Sequence, residues 1–233
     1  GTRDLSTAAW TFVENSASST LGTYHDGGPA AFAGSDAAFV VAATSDLGGA
    51  DSGAVYLFGI SDADRGTFTG SDADLIITGE GPGEHLGADV HVLGDLDGDG
   101  LSELGFSSNY GSTTCDEIAY VWRSDGPAGV VSAADMPVRM TDTSDYTWMV
   151  SFSPGDLDGD GLRDLAFAYE QHNSSTTSRA GCVYLWSGVP ADGDYTPPVA
   201  DLYIAGSEAG DYLGSGVAED LDFDGDGAVD LIV

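Results

Sequence analysis

Aspartate recurs at alternate positions in three glycine-punctuated runs: Asp95-Leu96-Asp97-Gly98-Asp99-Gly100, Asp156-Leu157-Asp158-Gly159-Asp160-Gly161 and Asp222-Phe223-Asp224-Gly225-Asp226-Gly227. A further carboxylate follows at position 9 of each run, as Glu103, Asp164 and Asp230, and position 7 offers the backbone carbonyl of Leu101, Leu162 or Ala228. Alternating carboxylates on a tightly turned loop converge on one point, and the glycine at position 6 permits the sharp turn. Hard oxygen donors in this number favour calcium, whereas magnesium takes fewer carboxylates and keeps more water. The expected metal ligands are therefore Asp95, Asp97, Asp99, Leu101 and Glu103; Asp156, Asp158, Asp160, Leu162 and Asp164; and Asp222, Asp224, Asp226, Ala228 and Asp230.

Without a cation such loops work against themselves. Two carboxylates about 4 Å apart repel by roughly 4 kcal/mol at an effective dielectric of ~20. A solvated Asp-Gly turn forms without metal, but three at equivalent phase weigh against that blander reading. An EF-hand begins with the same aspartate spacing, yet it needs a bidentate glutamate at position 12 and flanking helices. Position 12 here is Phe106, Phe167 or Val233, all apolar and all in expected strands.

The elements that must hold these loops read as strands. No dozen-residue window carries an i, i+3, i+4, i+7 apolar stripe. Short apolar runs bounded by Gly, Asp and Ser recur instead, as in Phe39–Ala42 and Val183–Trp186. Three markers repeat in one order. Tyr56, Tyr120 and Tyr184 centre apolar runs 64 residues apart; the acidic loops begin at Asp95, Asp156 and Asp222; and Gly83-Glu84-His85-Leu86-Gly87 returns as Gly210-Asp211-Tyr212-Leu213-Gly214. Each unit orders as a glycine-rich turn, a first strand (Ala88–Val92, Val217–Ala218), the acidic loop, and a second strand (Leu104–Ser107, Leu165–Tyr169, Leu231–Val233). A hairpin tip, the tyrosine strand and a final strand (Val138–Met140, Leu202–Ala205) follow.

Four short strands at this period predict an all-β fold, a β-propeller of four-stranded blades. A β-solenoid needs shorter coils, and a sandwich does not repeat so regularly. About 3.6 units of ~64 residues are expected as a single region, at approximately 21–70, 71–133, 134–198 and 199–233, the last incomplete. Ending inside an apolar strand leads us to expect a fragment of a larger ring, or a partner chain supplying the missing strands.

The string Gly83–Val90, then Gly94–Gly100, then Leu104-Gly105-Phe106 resembles an FG-GAP repeat, the blade unit of the integrin alpha-subunit N-terminal propeller and of many bacterial surface proteins. The resemblance covers residues from about 21 onward. It implies a seven-bladed ring in a complete protein, calcium between the first two strands of a blade, and an extracellular setting. It also implies recognition of another macromolecule, generally without catalysis. The first unit departs from the pattern: it aligns through Asp36 and Phe39–Ala42, but the ligand positions fall on Gly28, Ala30 and Phe32, so no metal is expected there. Ser107-Ser108 and Glu170-Gln171 replace the Gly-Ala-Pro frequent in that family, and no von Willebrand-type adhesion domain is visible, so integrin-type adhesion does not carry over.

Composition narrows the partners. Thirty-nine acidic residues face six basic ones, all arginine, for a formal net charge of −33. Such a chain cannot neutralise phosphates along nucleic acid, and an anionic membrane surface repels it. No run approaches the ~18 apolar residues of a spanning helix, so membrane insertion is not expected. Three calcium ions would raise the charge only to −27, leaving a strongly solvated anionic surface; saline surroundings and compositional bias of the source both account for it.

No Gly-x-Ser-x-Gly elbow, P-loop, dinucleotide fingerprint or His-Glu-x-x-His pattern appears, and His25, His85, His91 and His172 are scattered. Cys115 and Cys182 fit equally a disulfide between neighbouring units and two thiols. Tyr120, Trp122, Tyr184 and Trp186 read as packing residues, while Tyr110, Tyr146, Trp148 and Tyr212 are the aromatic contact candidates; Asn173-Ser174-Ser175 matches a glycosylation acceptor by pattern alone. The expectation is a calcium-binding, non-catalytic, secreted or surface-displayed module for adhesion or macromolecular recognition, with a protein or glycan ligand. The alternatives are the propeller of a secreted polysaccharide-active enzyme and a lectin-like glycan binder.

Overall fold

The computed structural model describes residues 10–13, 21–32, 35–44, 51–60, 66–109, 117–126, 128–142, 149–172, 178–195 and 199–233. It is all-β. Sixteen strands are present among these residues, with no α-helix, and single 3₁₀ turns stand at Gly70–Asp72 and Ala133–Asp135. No helix among the described residues is long and apolar enough to cross a membrane.

Three sheets repeat one antiparallel meander. The first joins β2 (Leu21–Phe32), β3 (Ser35–Ala43), β4 (Ala54–Ile60) and β6 (Leu75–Thr78). The second joins β7 (Asp89–Gly94), β8 (Glu103–Asn109), β9 (Glu117–Trp122) and β11 (Val138–Asp142), and the third joins β12 (Met149–Gly155), β13 (Asp164–Tyr169), β14 (Cys182–Trp186) and β16 (Leu202–Ala205). The sheets thus have limits of their own, 21–78, 89–142 and 149–205. Three further strands add in parallel: β5 (Gly66–Thr69) on β1 (Trp10–Val13), β10 (Gly129–Ser132) on β6, and β15 (Gly193–Tyr195) on β11.

The sheets stack face to face in chain order. Period-two alternation sends Tyr120 and Trp122 of β9 towards Leu57, Leu75 and Ile77 of the first sheet, and Ala119 and Val121 towards Leu165, Phe167 and Tyr184 of the third. Both faces of β9 are therefore buried along its whole length, which explains a run of apolar residues without polar alternation. Phe12 and Phe68 cover the outer face of the first sheet beside Tyr56 and Phe58, and Leu157, Val217, Leu231 and Val233 lie against Phe152 and Val183 of the third. The first strands of successive sheets, β2, β7 and β12, touch one another in order.

The repeated glycine motif is a latch between units. Leu86 forms a parallel bridge with Gly53, and Leu213 forms the same bridge with Gly181. A side chain on Gly53 or Gly181 would overlap the backbone of the bridging leucine, and both glycines have φ near +75°, a conformation that glycine adopts without strain. Glu84 and Asp211 fix the turn before each leucine: the Asp211 carboxylate accepts from the Ser207 and Glu208 amides at 2.9 Å, and Glu84 accepts from the Glu80 and Gly81 amides.

One sequence expectation changes. Residues 231–233 form no strand; an isolated antiparallel bridge between Ala218 and Ile232 stands where the first two strands of a fourth unit were expected. In the first unit, β2 extends to Phe32 and pairs with β3 as far as Ser35. Where ligand carboxylates are missing, the chain forms a long hairpin in place of a loop.

Candidate metal centres

The first two acidic loops span the step from the first to the second strand of a sheet, between Gly94 and Glu103 and between Gly155 and Asp164. The third lies between the bridged residues Ala218 and Ile232. All three fold alike. The position-1 aspartate turns back into its own loop: Asp95 accepts from the Gly98 and Gly100 amides at 2.7 and 2.9 Å. Asp156 accepts from those of Gly159 and Gly161, and Asp222 from those of Gly225 and Gly227, at the same two distances. Position 5 caps the next turn, with Asp99, Asp160 and Asp226 accepting from the amides of Leu101, Leu162 and Ala228 at 2.7, 2.8 and 2.8 Å. Backbone amides thus orient the carboxylates on their own.

Carboxylate oxygens of Asp95, Asp97 and Asp99 lie within 4.8 Å of one another, as do those of Asp156, Asp158 and Asp160, and those of Asp222, Asp224 and Asp230. Three convergent hard donors at this spacing match the first ligands a calcium ion would take. Glu103, Asp164 and Asp226 stand outside these close groups. Glu103 is fully buried and accepts from the Leu96 amide at 2.8 Å and the Ser124 amide at 3.3 Å. Asp164 does the same with the amides of Leu157 and Gly188, and Asp230 with those of Phe223 and Asp224. In the first two loops position 9 lies on a strand and so anchors the loop backbone to the sheet; in the third it ties the loop to itself.

That anchoring places charge where water is scarce. Burial pushes the Glu103 carboxyl up to about 7, against the pull of the Leu96 amide, and the charges of Asp97 and Asp99 push the same way. Burial raises Asp164 likewise, with Asp158 and Asp156 adding to it. A divalent cation would reverse both effects, since it favours the ionised form.

Sequence reasoning missed the surroundings of the loops. Ser124 and Ser187, just beyond the tyrosine strands, each donate a hydroxyl hydrogen bond to a loop, to Asp99 and to Asp158, at 2.6 Å. Arg163, the lone basic residue in the three loops, ties neighbouring units. Its Nε donates to the Leu93 carbonyl at 2.8 Å, its guanidinium meets Asp220 at 2.7 Å, and its amide donates to the Asp95 carbonyl at 3.3 Å. A basic residue at position 8 of an acidic loop was the available signal. His91, within β7, holds Asp89 at 3.1 Å and Asp26 at 3.8 Å, so it stitches carboxylates of two first strands.

Tyr120, Trp122, Tyr184 and Trp186 are buried between sheets. Tyr212 is half-buried, at 3.4 Å from the Arg179 guanidinium. Cys182 is buried on β14. Cys115, Tyr110, Tyr146, Trp148, Asn173, Ser174 and Ser175 lie outside the described residues. Comparison of the chain with family models and with curated proteins returned no match.

Proposed function

We propose that this chain is a calcium-binding, non-catalytic β-propeller region of FG-GAP type, serving adhesion or macromolecular recognition outside the cell. Three four-stranded meanders in chain order, with touching first strands and a repeated leucine latch, are the arrangement that successive blades would have. One observation carries the metal reading: the same loop fold, with the same two amides on the position-1 aspartate, occurs at three phased sites.

In this reading the ions neutralise the loops and stiffen the step between first and second strands, so fold stability is coupled to metal. The donors are the fifteen residues of the sequence reading, with Asp95, Asp97 and Asp99, Asp156, Asp158 and Asp160, and Asp222, Asp224 and Asp230 engaging first. The chain's own part is to aim these oxygens and to hold Glu103 and Asp164 beneath them. A protein or glycan ligand, recognised through surface loops, is the partner this module would serve; the acidic surface favours a ligand carrying positive or neutral groups.

The test is thermal unfolding of chelated protein, then with millimolar calcium, then with millimolar magnesium. A large rise with calcium and a much smaller one with magnesium is expected. Identical melting in all three conditions would remove the metal reading.

A further inference from the structure

The first strands of the three sheets meet at a cluster of ionisable groups outside the acidic loops. His91 on β7 stands at its centre. Its Nε2 lies 3.1 Å from Asp89 Oδ1 on the same strand, and its Nδ1 lies 3.8 Å from Asp26 Oδ2 on β2. Each carboxylate in turn takes an amide of the next first strand. Asp26 accepts from Val92 of β7 at 2.9 Å, and Asp89 accepts from Ser151 of β12 at 3.0 Å. One imidazole and two carboxylates therefore join β2, β7 and β12, the strands along which the sheets touch.

Both ring nitrogens of His91 face a carboxylate, and that sets the charge state the cluster suits. A neutral imidazole carries one N–H, so its other nitrogen turns a lone pair towards an anion; the imidazolium has a proton for each. Asp89, the nearer partner, keeps the hydrogen bond to the neutral ring, which leaves the Nδ1 lone pair towards Asp26. Glu219, on the segment after β16, adds a third negative charge, while Gly105 opposite His91 on β8 and Ser151 on β12 add none. Burial raises Glu219 itself, against the pull of His91 and Arg163. Burial also opposes the charging of His91, but Asp89, Asp26 and Glu219 outweigh it and hold the ring above its ordinary value. The His91 and Asp26 side chains are 28% and 37% exposed, so solvent protons reach them.

We infer that His91 is a proton-operated tie across the seam between the first and second sheets: charged, it holds Asp26 and Asp89 together, and neutral, it keeps Asp89 and releases Asp26. The tie is fully made below the ordinary histidine value of 6.5 and is lost as pH rises through the higher value in the fold. Loosening is local. The Ser151 amide stays on Asp89 in both states, whereas Asp26 is left with the Val92 amide alone to hold it across the seam. The tie lies outside the acidic loops, needs no cation and is independent of the metal reading.

The test is amide hydrogen exchange of the full chain in chelator, followed by NMR from pH 5.5 to 8.5, corrected for intrinsic exchange and read beside the titration of the His91 ring. Protection of the Val92 amide is expected to fall about fivefold, the size of a partly exposed ion pair, with the same midpoint as the ring. The Ser151 and β13 amides are expected to change much less, as in local opening. Asp26→Asn keeps an oxygen for the Val92 amide but no charge, so it should flatten the Val92 profile and lower the His91 midpoint; His91→Gln should flatten that profile too. Constant protection at Val92 while the ring titrates overturns the inference. So does an equal loss at Val92, Ser151 and β13, which is global loosening, or an unchanged pH dependence in Asp26→Asn. The first two of these readouts come from the unaltered chain, so the inference can fail even where a variant does not fold.

Discussion

Metal-free protein should be more stable in mild acid than at neutral pH, and calcium should reverse that trend. Glu103 carries the argument. A carboxyl held at about 7 in the fold against an ordinary value of 4.5 favours folding while it is protonated. That contribution is fully present below about 4.5 and is lost as pH rises through about 7. The difference corresponds to about 3 kcal/mol, reduced to about 2 kcal/mol by solvent beside the open loop. Asp164, Glu84 and Glu219 are raised by burial and add in the same direction. His91 does too: burial opposes its charging, but Asp89 and Asp26 outweigh it and hold it above its ordinary value, so its contribution also fades as pH rises.

The assay is thermal unfolding of chelated protein at pH 5.0, 6.0 and 7.5, followed through the fluorescence of Trp122 and Trp186, both buried between sheets. A fall in melting temperature of about 4–8 °C across this range is expected from Glu103 alone for a chain of this size. With saturating calcium the position-9 carboxylates are held ionised, and melting temperature should rise with pH over the same interval. Flat or rising stability in the chelated protein would refute the assignment of Glu103 as a strained, buried carboxyl.

Other outcomes follow from single contacts. Gly181→Ala should destabilise by about 3 kcal/mol or more, since its new side chain would overlap the Leu213 backbone and φ is +76°; Gly159→Ala, with open space around its Cβ position, separates the cost of φ from that of overlap, and urea unfolding measures both. Tyr120→Phe removes the hydroxyl donated to Glu84 at 3.0 Å and Glu80 at 3.2 Å, leaving a buried carboxylate short of a partner at a cost of about 1–3 kcal/mol. Arg163→Met should preserve the second loop's own turn but loosen its neighbours, seen as faster amide exchange at Asp220, whose carboxylate it holds. Asp156→Ala should abolish binding at the second loop alone, lowering calcium stoichiometry by one.

The all-β class and the acidic loops were legible because each is local: a period-two apolar run, a turn and four carboxylates are all read within a dozen residues, and the repeat showed because three such local markers recur in one order. The tyrosine strands showed as uninterrupted apolar runs because Ala119 and Tyr120 pack on different neighbouring sheets. The added parallel strands were not legible. Gly129–Ser132 is four residues of unremarkable composition, and its partner Leu75–Thr78 lies in the preceding unit, where only spatial neighbourhood reveals it. The role of position 9 was hidden for a related reason. Sequence spacing places Glu103 among ligands, whereas its burial and the Leu96 and Ser124 amides make it first an anchor. The hairpin of β2 and β3 continues to Phe32 and Ser35 where the first unit lacks the ligand carboxylates, because unpaired backbone between two apolar strands gains more from continuing the ladder.

Calorimetric titration of chelated protein with calcium at pH 7.5 tests the central claim most directly. Binding of about three ions per chain is expected, and three sites each at a hundredfold excess over Kd would add about 8 kcal/mol of stability. No heat of binding, or binding that leaves the melting temperature unchanged, would contradict it and return the loops to ordinary acidic turns.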